Sequence, residues 1–192
     1  MENSKTIAIA GNPNVGKSTL FNSLTGLKQH TGNWAGKTVA NASGKCRIGK
    51  WDCTLVDIPG TYSLLPHSAE EEIARNYLCF EKPDAVIVVC DATCLERNLN
   101  LVLQVLEITE NVLLCINLMD EAEKKGISID FSLLSQTLSI PVTGISARNK
   151  HGLDTFKEAL EDLLSHPHDA SPSTRPAFYD KALEDALLGL EG

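Results

Sequence analysis

An octapeptide at residues 11–18 constrains the fold of this chain more than any other feature of its sequence. It reads Gly-Asn-Pro-Asn-Val-Gly-Lys-Ser, which fits the pattern Gly-x-x-x-x-Gly-Lys-Ser/Thr. An apolar run at 6–10 precedes it and a helical pattern at 17–25 follows it. The glycines let successive backbone N–H groups converge on phosphate oxygens, and the helix N-terminus adds partial positive charge. The octapeptide therefore predicts a phosphate-binding loop between a strand and a helix.

Hydrophobic periodicity predicts alternating strands and helices along the rest of the chain. Further strands are predicted at 42–48, 51–57, 84–90, 111–116 and 140–145, and further helices at 69–80, 95–109, 131–138 and 153–164. The first two of these strands meet at Gly49 and Lys50 as an antiparallel pair, whereas 29–41 has no periodicity and is predicted as a loop. The alternation predicts an α/β fold with a mostly parallel six-stranded sheet, one antiparallel edge strand and helices on both faces.

Length and charge limit the classes of protein to which this chain can belong. Its 192 residues suit one main domain, predicted at 1–165, then a linker at 166–176 without a core pattern, then 177–192 as the start of a truncated helical region. The 17 basic and 25 acidic side chains give a net charge of −8, which argues against binding to nucleic acid. No apolar run approaches the roughly 20 residues of a membrane span, so the chain is expected to be soluble.

Polar side chains in and after the octapeptide are suited to the phosphate groups of a nucleotide. Lys17 would reach the β- and γ-phosphates, and the Ser18 hydroxyl would coordinate Mg²⁺. The residues predicted to contact the nucleotide in this part of the chain are Gly11, Asn12, Pro13, Asn14, Val15, Gly16, Lys17, Ser18 and Thr19.

A second group of phosphate and metal ligands is predicted on either side of the antiparallel strand pair. Asp57 would hold Mg²⁺ through a water molecule, and the Gly60 N–H would meet the γ-phosphate, where a side chain would obstruct the approach. Thr38, 21 positions after Lys17, would give Mg²⁺ a second hydroxyl, and Thr31 is the alternative. Because this contact needs a triphosphate, the loop around Thr38 is expected to order with the triphosphate and to relax with the diphosphate.

Two short motifs after later strands predict a guanine site. The Asp120 carboxylate would accept hydrogen bonds from the ring N–H and the exocyclic amine of guanine, a donor pair that adenine lacks. Asn117 would brace the loops around the base, and the Ala147 N–H would bond guanine O6. The predicted base-binding residues are Asn117, Met119, Asp120, Ser146, Ala147 and Arg148. The motifs together predict that the ligand is GTP or GDP.

Taken in this order, the motifs resemble the signature of the Ras-like, TRAFAC-class GTPases over residues 5–165. Stretches at 12–14, 32–39, 57–64 and 91–99 are similar to the N-terminal G domain of ferrous iron transport protein B (FeoB). The resemblance implies a GTPase domain on the cytoplasmic side of the bacterial inner membrane, which gates Fe²⁺ uptake as a nucleotide switch. It also implies that the partners are the chain's own C-terminal helical and transmembrane domains, and a homo-oligomer stays open.

The expected mechanism depends on the residue after Gly60 and on the second asparagine of the octapeptide. Thr61 stands where many GTPases have a water-orienting glutamine, so intrinsic hydrolysis is expected to be slow. The resemblance assigns Asn14 to a K⁺ ion beside the phosphates, completed by loop carbonyls near Asn33 and Trp34, and thus implies stimulation by K⁺. The catalytic candidates are then Asn14, Lys17, Thr38 and Gly60.

Two other functions stay open from the sequence alone. A stand-alone ribosome- or tRNA-associated GTPase of the same class would need a basic surface, against which the net charge of −8 weighs. The other is an ATP-driven enzyme. Asp120 distinguishes the two nucleotides, because its carboxylate would have no donor pair to bind in adenine.

The six cysteines do not indicate a metal site from their spacing. They are Cys46, Cys53, Cys79, Cys90, Cys94 and Cys115, with irregular intervals and no Cys-x-x-Cys. The pattern predicts buried, reduced thiols, and a metal or redox role is the alternative.

Overall fold

The computed structural model describes residues 3–26, 29–33 and 40–167, and the elements within them follow the predicted alternation. The strands are β1 (Ser4–Gly11), β2 (Gln29–Asn33), β3 (Ala40–Ile48), β4 (Trp51–Asp57), β5 (Ala85–Asp91), β6 (Val112–Asn117) and β7 (Val142–Gly144). The α-helices are α1 (Lys17–Thr25), α2 (Ala69–Asn76), α3 (Leu95–Leu106), α4 (Met119–Lys124), α5 (Phe131–Leu138) and α6 (Leu153–Ser165).

The strands form one sheet in the order β2-β3-β4-β1-β5-β6-β7. Neighbouring strands pair in parallel along the series β4-β1-β5-β6-β7, while β3 runs antiparallel to β4. This arrangement confirms the predicted α/β fold and its six strands. The prediction of a loop throughout 29–41 is wrong, because β2 pairs antiparallel with β3 and adds a seventh strand at the edge. Its sequence Gln-His-Thr-Gly-Asn has no apolar alternation. Because backbone groups make the pairing, the side-chain pattern did not predict this strand.

Two apolar clusters cover the two faces of the sheet and fix the helices. On one face, Phe21 of α1 and Phe156 of α6 are buried against the central strands. On the other, Leu101 and Val105 of α3 pack with residues from α2 and the same strands. Every residue of β6 is buried, as expected for a central parallel strand covered on both sides.

Helix boundaries differ from the predictions where tertiary contacts override periodicity. The region 69–80 divides into α2, which begins at a Ser68–Glu71 capping box, and a π-helical turn at Tyr77–Glu81. Helix α3 ends at Leu106 rather than at residue 109. Helix α4 was not predicted, since Ala122 is its one buried residue and leaves no helical pattern to detect.

The predicted helical region at 177–192 and most of the predicted linker lie outside the described residues. None of the helices in 3–26, 29–33 and 40–167 combines the length and apolar character needed to cross a bilayer.

The cysteines fall into three classes of exposure. Cys53, Cys90 and Cys115 are buried, Cys46 and Cys79 are half-buried, and Cys94 is exposed. The prediction of buried thiols is therefore wrong for Cys94, which lies in a short 3₁₀ turn just before α3. No group of three or more potential metal ligands occurs within the described part of the chain.

Candidate nucleotide-binding site

Three predicted motifs meet at one edge of the sheet because their strands are parallel. Strand β1 ends at Gly11, β4 ends at Asp57 and β6 ends at Asn117. The carboxyl ends of these strands therefore point to the same side, where open α/β sheets bind their ligands. The loops that follow them contribute the phosphate loop, the Asp57–Gly60 segment and the base motif.

The phosphate loop has a backbone that only glycine accommodates at two positions. A Cβ atom on Gly11 would lie 2.6 Å from the Val89 carbonyl oxygen, and one on Gly16 would lie 2.2 Å from Asn117 Nδ2. Gly16 also has a left-handed φ of 89° where it caps α1. Asn14 adopts a φ of 65°, and its side chain is exposed, as are those of Ser18 and Thr19. The loop is thus closed toward the sheet and open toward solvent.

Lys17 and Asp57 form the charged centre of the site. The Lys17 ammonium donates to Asp57 Oδ1 and, at 2.9 Å, to the Ile58 carbonyl oxygen. The side chains are only 11% and 15% exposed, so both charges are largely screened from water. A phosphate beside the ammonium and a cation beside the carboxylate would each complement a group already held in place.

The segment after Asp57 packs directly on the phosphate loop. Thr61 N–H donates to the Gly11 carbonyl oxygen at 3.2 Å. A Cβ on Gly60 would lie 3.3 Å from the Pro13 nitrogen and Cα, tighter than an ordinary contact. The structure therefore brings Gly60 to the loop, as the sequence predicted, and buries the Thr61 side chain beside it.

Asn117 ties the phosphate loop to the base motif. Its Nδ2 donates to the Val15 carbonyl oxygen at 2.9 Å, and its Oδ1 accepts from Ala147 N–H at 3.0 Å. The side chain is buried, so both bonds are shielded from water. This is the bracing role expected of Asn117. Because the Ala147 N–H already donates to Asn117 Oδ1, the predicted bond to guanine O6 would have to share this donor.

The loop after β7 holds both the backbone N–H and the carboxylate of Asp120. Asp120 N–H donates to Ser146 Oγ at 3.0 Å, and Asn149 Nδ2 donates to Asp120 Oδ2 at 3.2 Å. Met119 N–H is bonded to the Ile145 carbonyl oxygen, which fixes the turn, and Arg148 is exposed beside the motif. Asn149 was not predicted, because an exposed asparagine directly after Arg148 carries no pattern of its own.

Two predicted ligands of the site cannot be placed from the structure. Thr38 and Trp34 lie outside the described residues, and only the backbone of Thr31 and Asn33, both in β2, is described. The assignments of Thr38 to Mg²⁺ and of the loop carbonyls to K⁺ stay predictions.

Asn12, one of the residues predicted to contact the nucleotide, has a buried side chain. It is 3% exposed, and neither its Nδ2 nor its Oδ1 has a hydrogen-bond partner among the described residues. A buried amide left unpaired costs about 1–3 kcal/mol. Removing it should therefore not weaken the fold, unlike the removal of a buried amide that is fully engaged.

We expect Asn12→Ala to leave the free energy of unfolding unchanged or to raise it by about 1 kcal/mol. The matched control is Asn98→Ala, since Asn98 is equally buried but accepts from Asp91 N–H at 2.8 Å. That control should lose about 2 kcal/mol, because it leaves a buried N–H unpaired. Urea unfolding of both variants without nucleotide measures the difference, and equal losses would contradict the prediction.

The chain is similar to known proteins along nearly its whole length. The family model described as Ferrous iron transport protein B matches residues 5–160. The Fe(2+) transporter FeoB of Salmonella typhimurium is 41% identical over 191 residues, which cover 95% of this chain and 24% of that protein. The chain thus spans about a quarter of the length of the curated relatives it matches.

Solved structures show the same fold. The FeoB G domain from Methanococcus jannaschii is 43% identical, with a TM-score of 0.76 over 85% of this chain and 99% of that one. The cytosolic domain of the T. maritima FeoB iron transporter in a GDP form is 37% identical, with a TM-score of 0.90 over 98% of this chain and 73% of that one. The Ras-like GTPase fold is confirmed, and the chain belongs to the ferrous iron transport protein B family, whose N-terminal G domain it contains.

Proposed function

We propose that this chain binds GTP and GDP with Mg²⁺, hydrolyses GTP, and serves as the nucleotide switch that gates Fe²⁺ uptake by a ferrous iron transporter. One observation carries the proposal: the Lys17–Asp57 ion pair and the Asp120 carboxylate lie at the same edge of the sheet, and Asn117 joins the loops beside them. A cation and a carboxylate at one end suit a magnesium-bound phosphate chain. A carboxylate at the other end suits the two N–H donors of guanine.

The residues at the phosphate end have the chemistry that the reaction needs. Lys17 would hold the β- and γ-phosphate oxygens, and the N-terminus of α1 would add N–H donors. The exposed Ser18 hydroxyl and the Asp57 carboxylate are oxygen donors, the type of ligand that fits Mg²⁺. When bound, Mg²⁺ neutralises charge that develops on the phosphates. Gly60 lies against the loop, and its N–H would meet the γ-phosphate.

The rate of hydrolysis is proposed to be slow because no side chain next to Gly60 orients water. Thr61 occupies that position, is 4% exposed, and commits its N–H to Gly11. Asn14, which is exposed on the outer turn of the loop, would bind K⁺ and place positive charge beside the leaving phosphate. The charge would take the role that an arginine has in other GTPases.

Phosphate release from GTP or ATP, each in KCl or NaCl with Mg²⁺, tests the proposal. GTP in KCl should be hydrolysed about tenfold faster than GTP in NaCl, and ATP should not be hydrolysed, because K⁺ stabilises charge in the transition state and Asp120 rejects adenine. Asn14→Ala should bring the two GTP rates together. Equal GTP rates in both salts would remove the K⁺ site, and equal use of ATP would overturn the GTPase assignment.

The remaining domains and the location are proposed from the family. The domain at 1–165 would join, through the linker at 166–176, a helical region starting at 177–192 and then a transmembrane part. These would be its partners, with this domain on the cytoplasmic side of the bacterial inner membrane. The alternative of a ribosome- or tRNA-associated GTPase is not favoured, since the net charge of −8 opposes binding to RNA.

A further inference from the structure

Two cysteines face each other across the β3–β4 hairpin. Cys46 lies directly opposite Cys53 in the antiparallel register. Directly opposed residues in such a pair have Cα atoms about 4.5–5.5 Å apart, within the range of about 4.4–6.8 Å that a disulfide needs. Both belong to the sheet face covered by α1 and α6, where Cys53 is part of the core and Cys46 packs against it. The register therefore places the two cysteines at a backbone separation that a disulfide can span.

The two sulfurs of the pair differ in exposure and in acidity. Cys53 is 2% exposed, whereas Cys46 is half-buried at the margin of the core. The Cys53 thiol donates to the Trp51 carbonyl oxygen at 3.7 Å. The proximity of the two thiols lowers the pKa of Cys53 and raises that of Cys46, and burial raises the pKa of Cys46 further, against the opposing charge of Lys157 in α6. Cys53 is therefore the more acidic thiol of the pair, and Cys46 is the more accessible one.

The other buried cysteines on neighbouring strands lack this arrangement. Cys90 lies opposite Ile116 and Cys115 lies opposite Val89, so the two are one residue out of register on parallel strands. Their side chains consequently belong to opposite faces of the sheet, Cys90 to the α3 side and Cys115 to the α6 side. Burial also raises the pKa of Cys90 to about 12.

We propose that Cys46 and Cys53 form a reversible oxidation site, which hydrogen peroxide closes to a disulfide and a small thiol reopens. In the first step a sulfur of the pair attacks the peroxide, the O–O bond breaks, and a sulfenic acid and one water form. The other thiol then attacks that sulfur, the S–O bond breaks, and a second water leaves. Two thiols lose two protons and two electrons, and the peroxide is reduced to two waters.

The disulfide would join the strands that lead into and out of the hairpin turn. It closes a short loop from residue 46 to residue 53, and Asp57 of the phosphate site lies four residues further along β4. Closing a loop of this size stabilises a protein by restricting its unfolded chain. Oxidation should therefore raise the melting temperature by about 5 °C.

Peptide mapping of the peroxide-treated chain tests the proposal. The protein is oxidised, its free thiols are alkylated, and it is unfolded and digested with trypsin, which cleaves after Arg47 and Lys50 between the two cysteines. The expected product is a Cys46 peptide joined to the Cys53 peptide, about 2 Da lighter than the sum of the thiol forms and separated by dithiothreitol.

Two variants distinguish the pair from general thiol oxidation. Cys94→Ser removes the exposed cysteine and should leave the joined peptides and the rise in melting temperature unchanged. Cys46→Ser alters a half-buried position and should abolish both. Recovery of Cys46 as a sulfinic or sulfonic acid in its own peptide, or of both residues as free thiols after Cys94 has reacted, would overturn the proposal.

Discussion

Asp120→Asn should lower the affinity for GDP by about 10³-fold and make xanthosine diphosphate the preferred ligand. In the proposed site the carboxylate would accept two guanine donors, and a hydrogen bond to a charged group contributes about 1.5–3 kcal/mol. An amide at this position would point its NH₂ group at the exocyclic amine of guanine, donor against donor. Xanthine carries a carbonyl oxygen there, which the amide can bind.

The structure indicates how the amide of this variant would be oriented. Asn149 Nδ2 donates to Asp120 Oδ2, so the oxygen of the amide would take that place and the NH₂ group the place of Oδ1. The matched control is Glu121→Gln, which makes the same charge change on the same helix where the carboxylate pairs with Lys124 at the surface. Calorimetric titration with GDP, xanthosine diphosphate and ADP measures the result. An unchanged preference for GDP in Asp120→Asn would refute the base assignment.

Lys17→Ala should weaken binding of both GDP and GTP by about 10³-fold. The variant would lose the proposed charge-assisted hydrogen bonds to the phosphates, each contributing about 1.5–3 kcal/mol. It also leaves the Asp57 carboxylate, 15% exposed, without the ammonium that faces it, so a carboxylate and a phosphate chain would repel each other. GDP and GTP should lose affinity by a similar factor, apart from any additional loss that the γ-phosphate of GTP causes.

The matched control for this variant is Lys5→Ala. Lys5 pairs with Asp84 at 3.0 Å, is 23% exposed and lies at the opposite end of β1 from the phosphate loop. Its loss removes a lysine–aspartate pair without touching the site, so nucleotide affinity should stay within a factor of about two. Fluorescence titration of both variants, with circular dichroism to verify folding, tests this. Tight binding of GDP by Lys17→Ala would contradict the proposed site.

The sequence predicted those parts of the fold and site that depend on local pattern. The octapeptide specified both its backbone and its place between β1 and α1, because glycine and lysine are required there by geometry and charge. The buried strands β5 and β6 were predicted from their unbroken apolar runs. The bracing role of Asn117 was predicted from its position, and the structure adds the two bonds that perform it.

The parts that could not be predicted depend on contacts between distant residues. Strand β2 is held by backbone pairing and carries no apolar pattern. The orienting bond from Asn149 and the unpaired amide of Asn12 arise from tertiary packing, which no spacing in the sequence reports. The opposition of Cys46 and Cys53 follows from the hairpin register, which becomes visible only once both strand ends are known.

The two hydrogen bonds of the Asn117 side chain couple the phosphate end of the nucleotide pocket to its base end. A single buried side chain fastens the carbonyl of Val15 on one side and the amide of Ala147 on the other, and Gly16 has no room for anything larger beside it. Binding of the base and binding of the phosphates are therefore coupled, because a substitution at Asn117 would affect both loops. Substitutions on either side of it should combine non-additively, as expected of residues that share one partner.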